Sequence, residues 1–228
     1  MSDWFFTLSH WYGDDGIVPL LLQHMAYSAV ALAIAVAVAF PVGCYTGHTG
    51  KGEALLIGIT NALRSLPSFG LIILLVILLA GYFESDMAFV LPCIIVLVVL
   101  ALPPMALGVH AGIRSVDPNV HDAAKGIGLT PLQVLMQVEL PCAIPLIISG
   151  IRSAALQIVS TATIAAYVSL GGLGRLIIDG RAANDFAQMT AGAVLVALLA
   201  LVIDVFFSLS EKFVVSPGLS RRTKTRDV

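Results

Sequence analysis

The chain has 228 residues, of which 58% are hydrophobic and 11% charged, and it carries a formal net charge of −2. Its mean hydropathy is +0.97. A soluble globular domain averages about 25% charged and 45–50% apolar residues, so this composition excludes that class and indicates an integral membrane protein; no basic block suggests a nucleic-acid partner.

The first 18 residues hold Asp3, Asp14 and Asp15 and no Lys or Arg. Without a basic n-region or a small-residue cleavage site they do not read as a signal peptide but as an extracytoplasmic segment. Trp4, Phe5, Phe6, Trp11 and Tyr12 there read as an interfacial aromatic anchor rather than a ligand cage. A spanning helix needs roughly 20 predominantly apolar residues, and five segments meet this, at about 19–45, 54–80, 87–110, 142–168 and 189–213. The second is long enough to be broken in two at Pro67, since proline removes a helical donor and neighbouring helices can re-satisfy the freed backbone groups. Gly47-His48-Thr49-Gly50-Lys51-Gly52, after the first span, hints at a phosphate loop. It lacks the first glycine at the required spacing, and Gly52 stands where Ser or Thr would bind Mg²⁺.

Between the third and fourth spans lies a polar interruption. Asp117-Pro118-Asn119 reads as a capped helix start, with proline at the first helical position. Val120, Ala123, Ala124 and Ile127 then recur at helical spacing, giving a short amphipathic helix near 118–129 with two alanines that permit close approach. Gly126 and Gly128 weaken the helix and allow a turn into a second capped start at Thr130-Pro131; Leu140-Pro141 is expected to open the fourth span. Taken alone, the segment would fit any cytoplasmic helical hairpin.

Its spacing is more specific. Asp122-Ala123-Ala124, Gly128, Val138 and Leu140-Pro141 resemble the signature of ABC importer permeases: Glu-Ala-Ala, three residues, Gly, nine residues, Ile, one residue, Leu-Pro. Every interval matches. Asp122 replaces the usual Glu but keeps a negative charge near a helix N-terminus, where it suits the macrodipole; Val138 replaces Ile. The stretch Leu63 to Leu71, containing Ser65, Pro67 and Ser68, is similar to a Thr-x-Pro-Ser-Leu-Ala-Leu segment of glycine betaine/carnitine/choline importer permeases. Ser160 to Tyr167 followed by Gly171, Gly172, Leu173 and Gly174 is similar to their Gly-Thr-Ala-Thr-Ile-Ala-Ala and Gly-Gly-Leu-Gly block, with Ser160 for the first Gly and Ser169-Leu170 for Gly-Ala. The resemblance covers roughly residues 20–215.

That resemblance implies an all-α polytopic permease domain at 19–213, with a basic tail at 214–228. It would act with a second permease, identical or paralogous, two ABC ATPases and an extracytoplasmic solute-binding protein, carrying a compatible solute across the bilayer. ATP and Mg²⁺ would be held by the partner ATPase, with no cofactor and no catalytic residues on this chain. Asp122, Ala123, Ala124, Gly128, Leu140 and Pro141 would form the ATPase-coupling element. The rivals are a permease for methionine or another amino acid and, in a different class, a channel or secondary transporter without an ATPase. Neither repeated halves nor midplane acid pairs support the latter.

Other residues carry weaker signals. Ser65, Pro67, Ser68, Ser160, Thr161 and Thr163 are candidates for the translocation path, though any one hydroxyl fits helix packing as well. Gly171, Gly172 and Gly174 permit a tight external turn and are outer-gate candidates. Arg64, Arg152 and Asp204 fall within predicted spans, each roughly 15 Å from the cytoplasmic end. Charges there are expensive, so Asp204 is expected to pair with Arg152 or Arg64. Cys44, Cys93 and Cys142 are far apart and read as packing residues, and the five histidines are scattered without metal-ligand spacing. The tail residues Arg221, Arg222, Lys224 and Arg226 orient the chain with its C-terminus and the 118–141 segment in the cytoplasm and its N-terminus outside; Arg175 and Arg181 dissent.

Overall fold

The computed structural model describes residues 4, 7–13, 15–83, 86–168 and 170–214. The tail basic residues, Asp3, Asp14, Phe5, Phe6 and Ser169 lie outside the described residues. Among those described, every regular element is helical: α1 (Ile17–Thr49), α2 (Glu53–Arg64), α3 (Ser68–Leu79), α4 (Met87–Arg114), α5 (Pro118–Gly126), α6 (Pro131–Val134), α7 (Leu140–Ala165), α8 (Gly174–Ala183) and α9 (Phe186–Val214). Three-residue 3₁₀ turns sit at Leu8–His10, Ala80–Tyr82 and Ala166–Val168.

α4 is the axis of the bundle. Cys93, Val96, Leu97, Ala101, Met105 and Val109 are all fully buried, which is why this segment reads as continuously apolar rather than amphipathic. α1 and α7 pack on it through small residues. Along α1, Ala31, Ala35, Ala39, Gly43 and Gly47 make a buried stripe one turn apart; a Cβ on Gly43 would meet Val109 Cβ at 2.7 Å. A Cβ on Gly108 of α4 would meet Gly150 Cα of α7 at 2.7 Å. Lipid gives no hydrophobic drive between helices, so close backbone approach and van der Waals contact hold them together. Cys44, Cys93 and Cys142 are free thiols.

Four helical runs are long and apolar enough to cross a membrane, at 17–49, 87–114, 131–168 and 186–214. The second predicted span is the bent pair α2 and α3, turned by 87° across Ser65-Leu66-Pro67. Pro67 cannot donate to the carbonyl four residues back, and it disfavours helical geometry at Leu66. Ser65 Oγ donates to the Ala62 carbonyl at 2.7 Å and closes the end of α2.

Leu140-Pro141 opens α7, but the helical run does not start there. Helix begins at Pro131 and runs through a π-helical turn at Leu135–Glu139 into α7, a continuous 38 residues to Val168. The Leu140 N–H donates five residues back, to Leu135, so the wide turn accommodates Pro141 without a break. The stretch that begins at Gly174 forms α8, which packs on α9.

Candidate functional site

The polar hairpin at one end of the bundle is built from local hydrogen bonds. Asp117 caps α5, its carboxylate accepting from the Asn119 backbone N–H at 2.9 Å and from Asn119 Nδ2 at 3.0 Å. At the other end the Leu129 N–H donates to the Ala124 carbonyl at 3.2 Å and the Gly128 N–H to Lys125 at 2.9 Å. These two bonds are a Schellman motif, which needs a left-handed residue after the helix; Gly128 supplies it with φ +90°. Thr130 and Gln133 form a reciprocal capping box at the start of α6, with the Thr130 N–H donating to Gln133 Oε1 at 2.8 Å. The hairpin is therefore held at three points by its own backbone chemistry.

Its faces divide differently from the expected shared face. His121 and Ala124 turn toward α6 and the π turn, leaving Ala124 only 6% exposed. Val120, Ala123 and Ile127, at i, i+3 and i+7, point outward with Asp122, and Ile127 is 80% exposed. Leu140 is half-buried and Pro141 exposed. Ala123 thus lies on the outer surface, whereas Ala124 is spent on the chain's own packing.

Beneath α5 lies a cluster that sequence reasoning missed. Glu139, in the π turn, is 3% exposed. The Nδ1 of His48, at the end of α1, donates to its Oε2 at 2.6 Å. His121 Nδ1, from α5, stands 3.5 Å from Oε1, and the two imidazoles stack with centroids 6.4 Å apart and planes 8° apart. An ionised carboxylate only accepts, so Nδ1–H is the tautomer that fits His48. Next to it, His110 Nδ1 meets Thr46 Oγ1 at 3.1 Å and His110 Nε2 lies 3.8 Å from Glu53. Three of the five histidines that read as scattered thus converge at this end of the bundle. The nearest sequence signal is an acid inside an otherwise apolar helical face at 134–140.

The path candidates do not share one face. Thr161 is buried while Ser160 is exposed, and Thr163 Oγ1 donates back to the Val159 carbonyl at 3.1 Å. Ser65 and Pro67 are exposed and Ser68 half-buried. The two stretches do approach: Phe69 meets Tyr167 edge-on with centroids 5.4 Å apart. Gly171 and Gly172 take φ +87° and +77°, and the Gly172 N–H donates to Gln23 Oε1 of α1 at 3.3 Å. A Cβ on Gly174 would fall on the Thr163 carbonyl, so the glycines seat α8 against α1 and α7. Asp204 is reached by Arg152, which donates from Nε and Nη2 to its two oxygens at 2.6 Å each. Arg64 ends α2 exposed, with no ion pair among the described residues.

Residues 39–216 match the family described as the binding-protein-dependent transport system inner membrane component. The chain belongs to this family. It is 33% identical over 199 residues to the choline transport system permease protein OpuBB of Bacillus subtilis, covering 87% of this chain and 88% of that one. It is 32% identical over 197 residues to the glycine betaine/carnitine/choline permease protein OpuCB of the same organism, covering 86% and 88%. The osmoprotectant import permease protein OsmW of Salmonella typhimurium is 32% identical over 190 residues, covering 82% and 86%. Among solved structures, an inward-facing MetNI methionine ABC transporter aligns with a TM-score of 0.75 at 20% identity, over 88% of this chain and 96% of that one. That likeness shows the fold, a type I ABC importer permease. The chain is a multi-pass membrane permease subunit.

Proposed function

We propose that this permease imports a compatible solute of the glycine betaine, choline and carnitine class. The observation that carries the substrate class is the similarity to permeases named for these solutes, at 32–33% identity over more than four fifths of the chain. Likeness to the methionine transporter stays at 20% identity and extends to the fold alone. Two permease chains, two ATPases holding ATP and Mg²⁺, and an extracytoplasmic binding protein would make the importer. α5 is the coupling helix, on the cytoplasmic side, with the N-terminus outside.

In this reading the outward face of α5, with Asp122, Ala123 and the exposed Val120 and Ile127, enters a cleft on the ATPase. Closing of the ATPases on ATP draws two such helices together. The movement enters α7 through the capped α6 and the π turn, and it turns the bundle from inward-facing to outward-facing. Ser65, Ser68 and Ser160 would line the path where the bent span meets the end of α7, and the loop of Gly171, Gly172 and Gly174 would close it outside. The capped ends of α5 and α6 support force transmission, since a frayed helix end would absorb displacement.

Reconstitution of the chain with its ATPase and binding protein in liposomes tests the proposal. ATP-dependent uptake of radiolabelled glycine betaine, choline or carnitine is expected, with methionine excluded. Uptake of methionine alone would reassign the substrate class, and uptake that persists without any ATPase would remove the importer reading.

A further inference from the structure

Glu139 is the most deeply buried carboxylate among the described residues, and it sits where three elements meet: the end of α1, the coupling helix α5 and the root of α7. Burying a carboxylate costs several kcal/mol, and a hydrophobic residue of similar size commonly packs as stably. Packing alone therefore does not account for an acid here. Its two contacts are unequal. The 2.6 Å hydrogen bond to His48 is short and charge-assisted, whereas His121 stands off at 3.5 Å, beyond the usual hydrogen-bond length. His121 Nε2 is buried with no hydrogen-bond partner among the described residues. What anchors the imidazole is its approach to Glu139 and its stacking on His48.

The π turn matters to this placement. It is the one wide turn in the helix that receives force from α5, and Glu139 is its last residue. π turns recur at functional sites because they redirect a side chain without ending the helix. Among the other ionisable groups at this end, Glu53 is near His110, Asp122 and Lys125 are exposed on the outer surface of α5, and the buried Cys44 thiol of α1 is close enough to feel the Glu139 charge. Glu139 thus joins α1 tightly and α5 loosely.

We propose that Glu139 is a positioning residue that ties the coupling helix, through His121, to the first span, through His48, so that displacement of α5 is passed to α1 and α7 together. This rests on the permease reading and adds a second route of force, into α1, beside the covalent one through α6. When α5 moves, His121 closes on Glu139 or leaves it while His48 stays bonded, and the loose contact is the part that changes between states.

The test uses the full chain with its ATPase and binding protein in liposomes, with glycine betaine as the probe solute. Three quantities are read: ATPase co-purifying with the chain, basal ATP hydrolysis, and its stimulation by liganded binding protein. Glu139→Ala is expected to leave docking and basal hydrolysis near wild type and to lower stimulation about tenfold, the factor that roughly 1.4 kcal/mol represents. Glu139→Gln, which keeps the shape and one acceptor, recovers part of it. His48→Ala with Glu139→Ala is no worse than Glu139→Ala alone, as expected for residues acting through one contact. Stimulation by Glu139→Ala within about twofold of wild type, or independent effects of the two substitutions, overturns the proposal. If Glu139→Ala does not accumulate in the membrane, Glu139→Gln and His121→Asn decide by the same ratio: stimulation like wild type in both overturns it. A wild-type chain that recruits no ATPase at all removes the permease reading, and the joint with it.

Discussion

Gly126 and Gly128 stand two residues apart at the end of α5, and a Cβ on either meets nothing within 4 Å. Sterics therefore do not separate them; backbone conformation does. Gly126 is the last residue of α5, where Ala in place of Gly gains up to about 1 kcal/mol of helix propensity. Gly128 has φ +90°, where an L side chain costs about 1–2 kcal/mol. The two substitutions to Ala should thus differ by roughly 2–3 kcal/mol in opposite directions. Hydrogen exchange by mass spectrometry reads this directly on a peptide spanning residues 122–133. With Gly128→Ala the amides of Gly128 and Leu129 lose their partners and exchange about 5–30-fold faster, the factor that 1–2 kcal/mol represents. Gly126→Ala exchanges no faster than wild type. Gly128→Asn falls between, because Asn enters the left-handed region more readily than Ala. Coupled ATP hydrolysis should follow the same order, and Gly128→Asp should abolish it without preventing membrane insertion. Equal exchange in Gly126→Ala and Gly128→Ala would refute the Schellman account of this turn, and with it the idea that a rigid helix end passes the force.

Gly108→Ala and Gly150→Ala each force atoms into contact at 2.7–3.0 Å where α4 and α7 cross. Overpacking of that kind costs about 1–3 kcal/mol, so Tm in detergent should fall by several degrees, while Gly58→Ala, with open space around it, should not. Thr130→Ala removes the capping box at a cost of about 1 kcal/mol and should speed exchange in the first turn of α6; Thr130→Ser should not. Reversing Arg152 or Asp204 singly should impair transport, and reversing both should restore it in part. Arg152→Lys should be impaired too, because Lys cannot reproduce the two-pronged contact. A double reversal no better than the single ones would mean that the pair does not act as a unit.

The parts legible in the sequence are those decided within a few residues. Asp117-Pro118 and Thr130-Pro131 cap their helices because cap chemistry is local, and Pro67 breaks the second span because a missing N–H is felt within one turn. What was not legible depends on how helices cross. Nothing local tells whether Asp204 meets Arg64 or Arg152; that is set by which faces of α7 and α9 come together. His48, His121 and Glu139 are separated by up to 91 residues, so they looked scattered until the bundle placed three helix ends side by side. The π turn escaped notice for a related reason: Pro141 reads as a break by itself, and only an unbroken helix on either side makes the wider turn the better solution. Likewise the alanine pair matches a family pattern in sequence, but burial assigns Ala123 to the outer surface and Ala124 to the chain's own packing.

The account turns on the outward face of α5 meeting an ATPase. A photocrosslinking amino acid at Ala123, and separately at Gly58 on an exposed face of α2, places one probe on that surface and one away from it. In membranes containing the assembled importer, the Ala123 probe is expected to trap the ABC ATPase in a covalent adduct that weakens or shifts on adding ATP, and the Gly58 probe is expected to trap none. No ATPase adduct at Ala123, with the importer active, would contradict it.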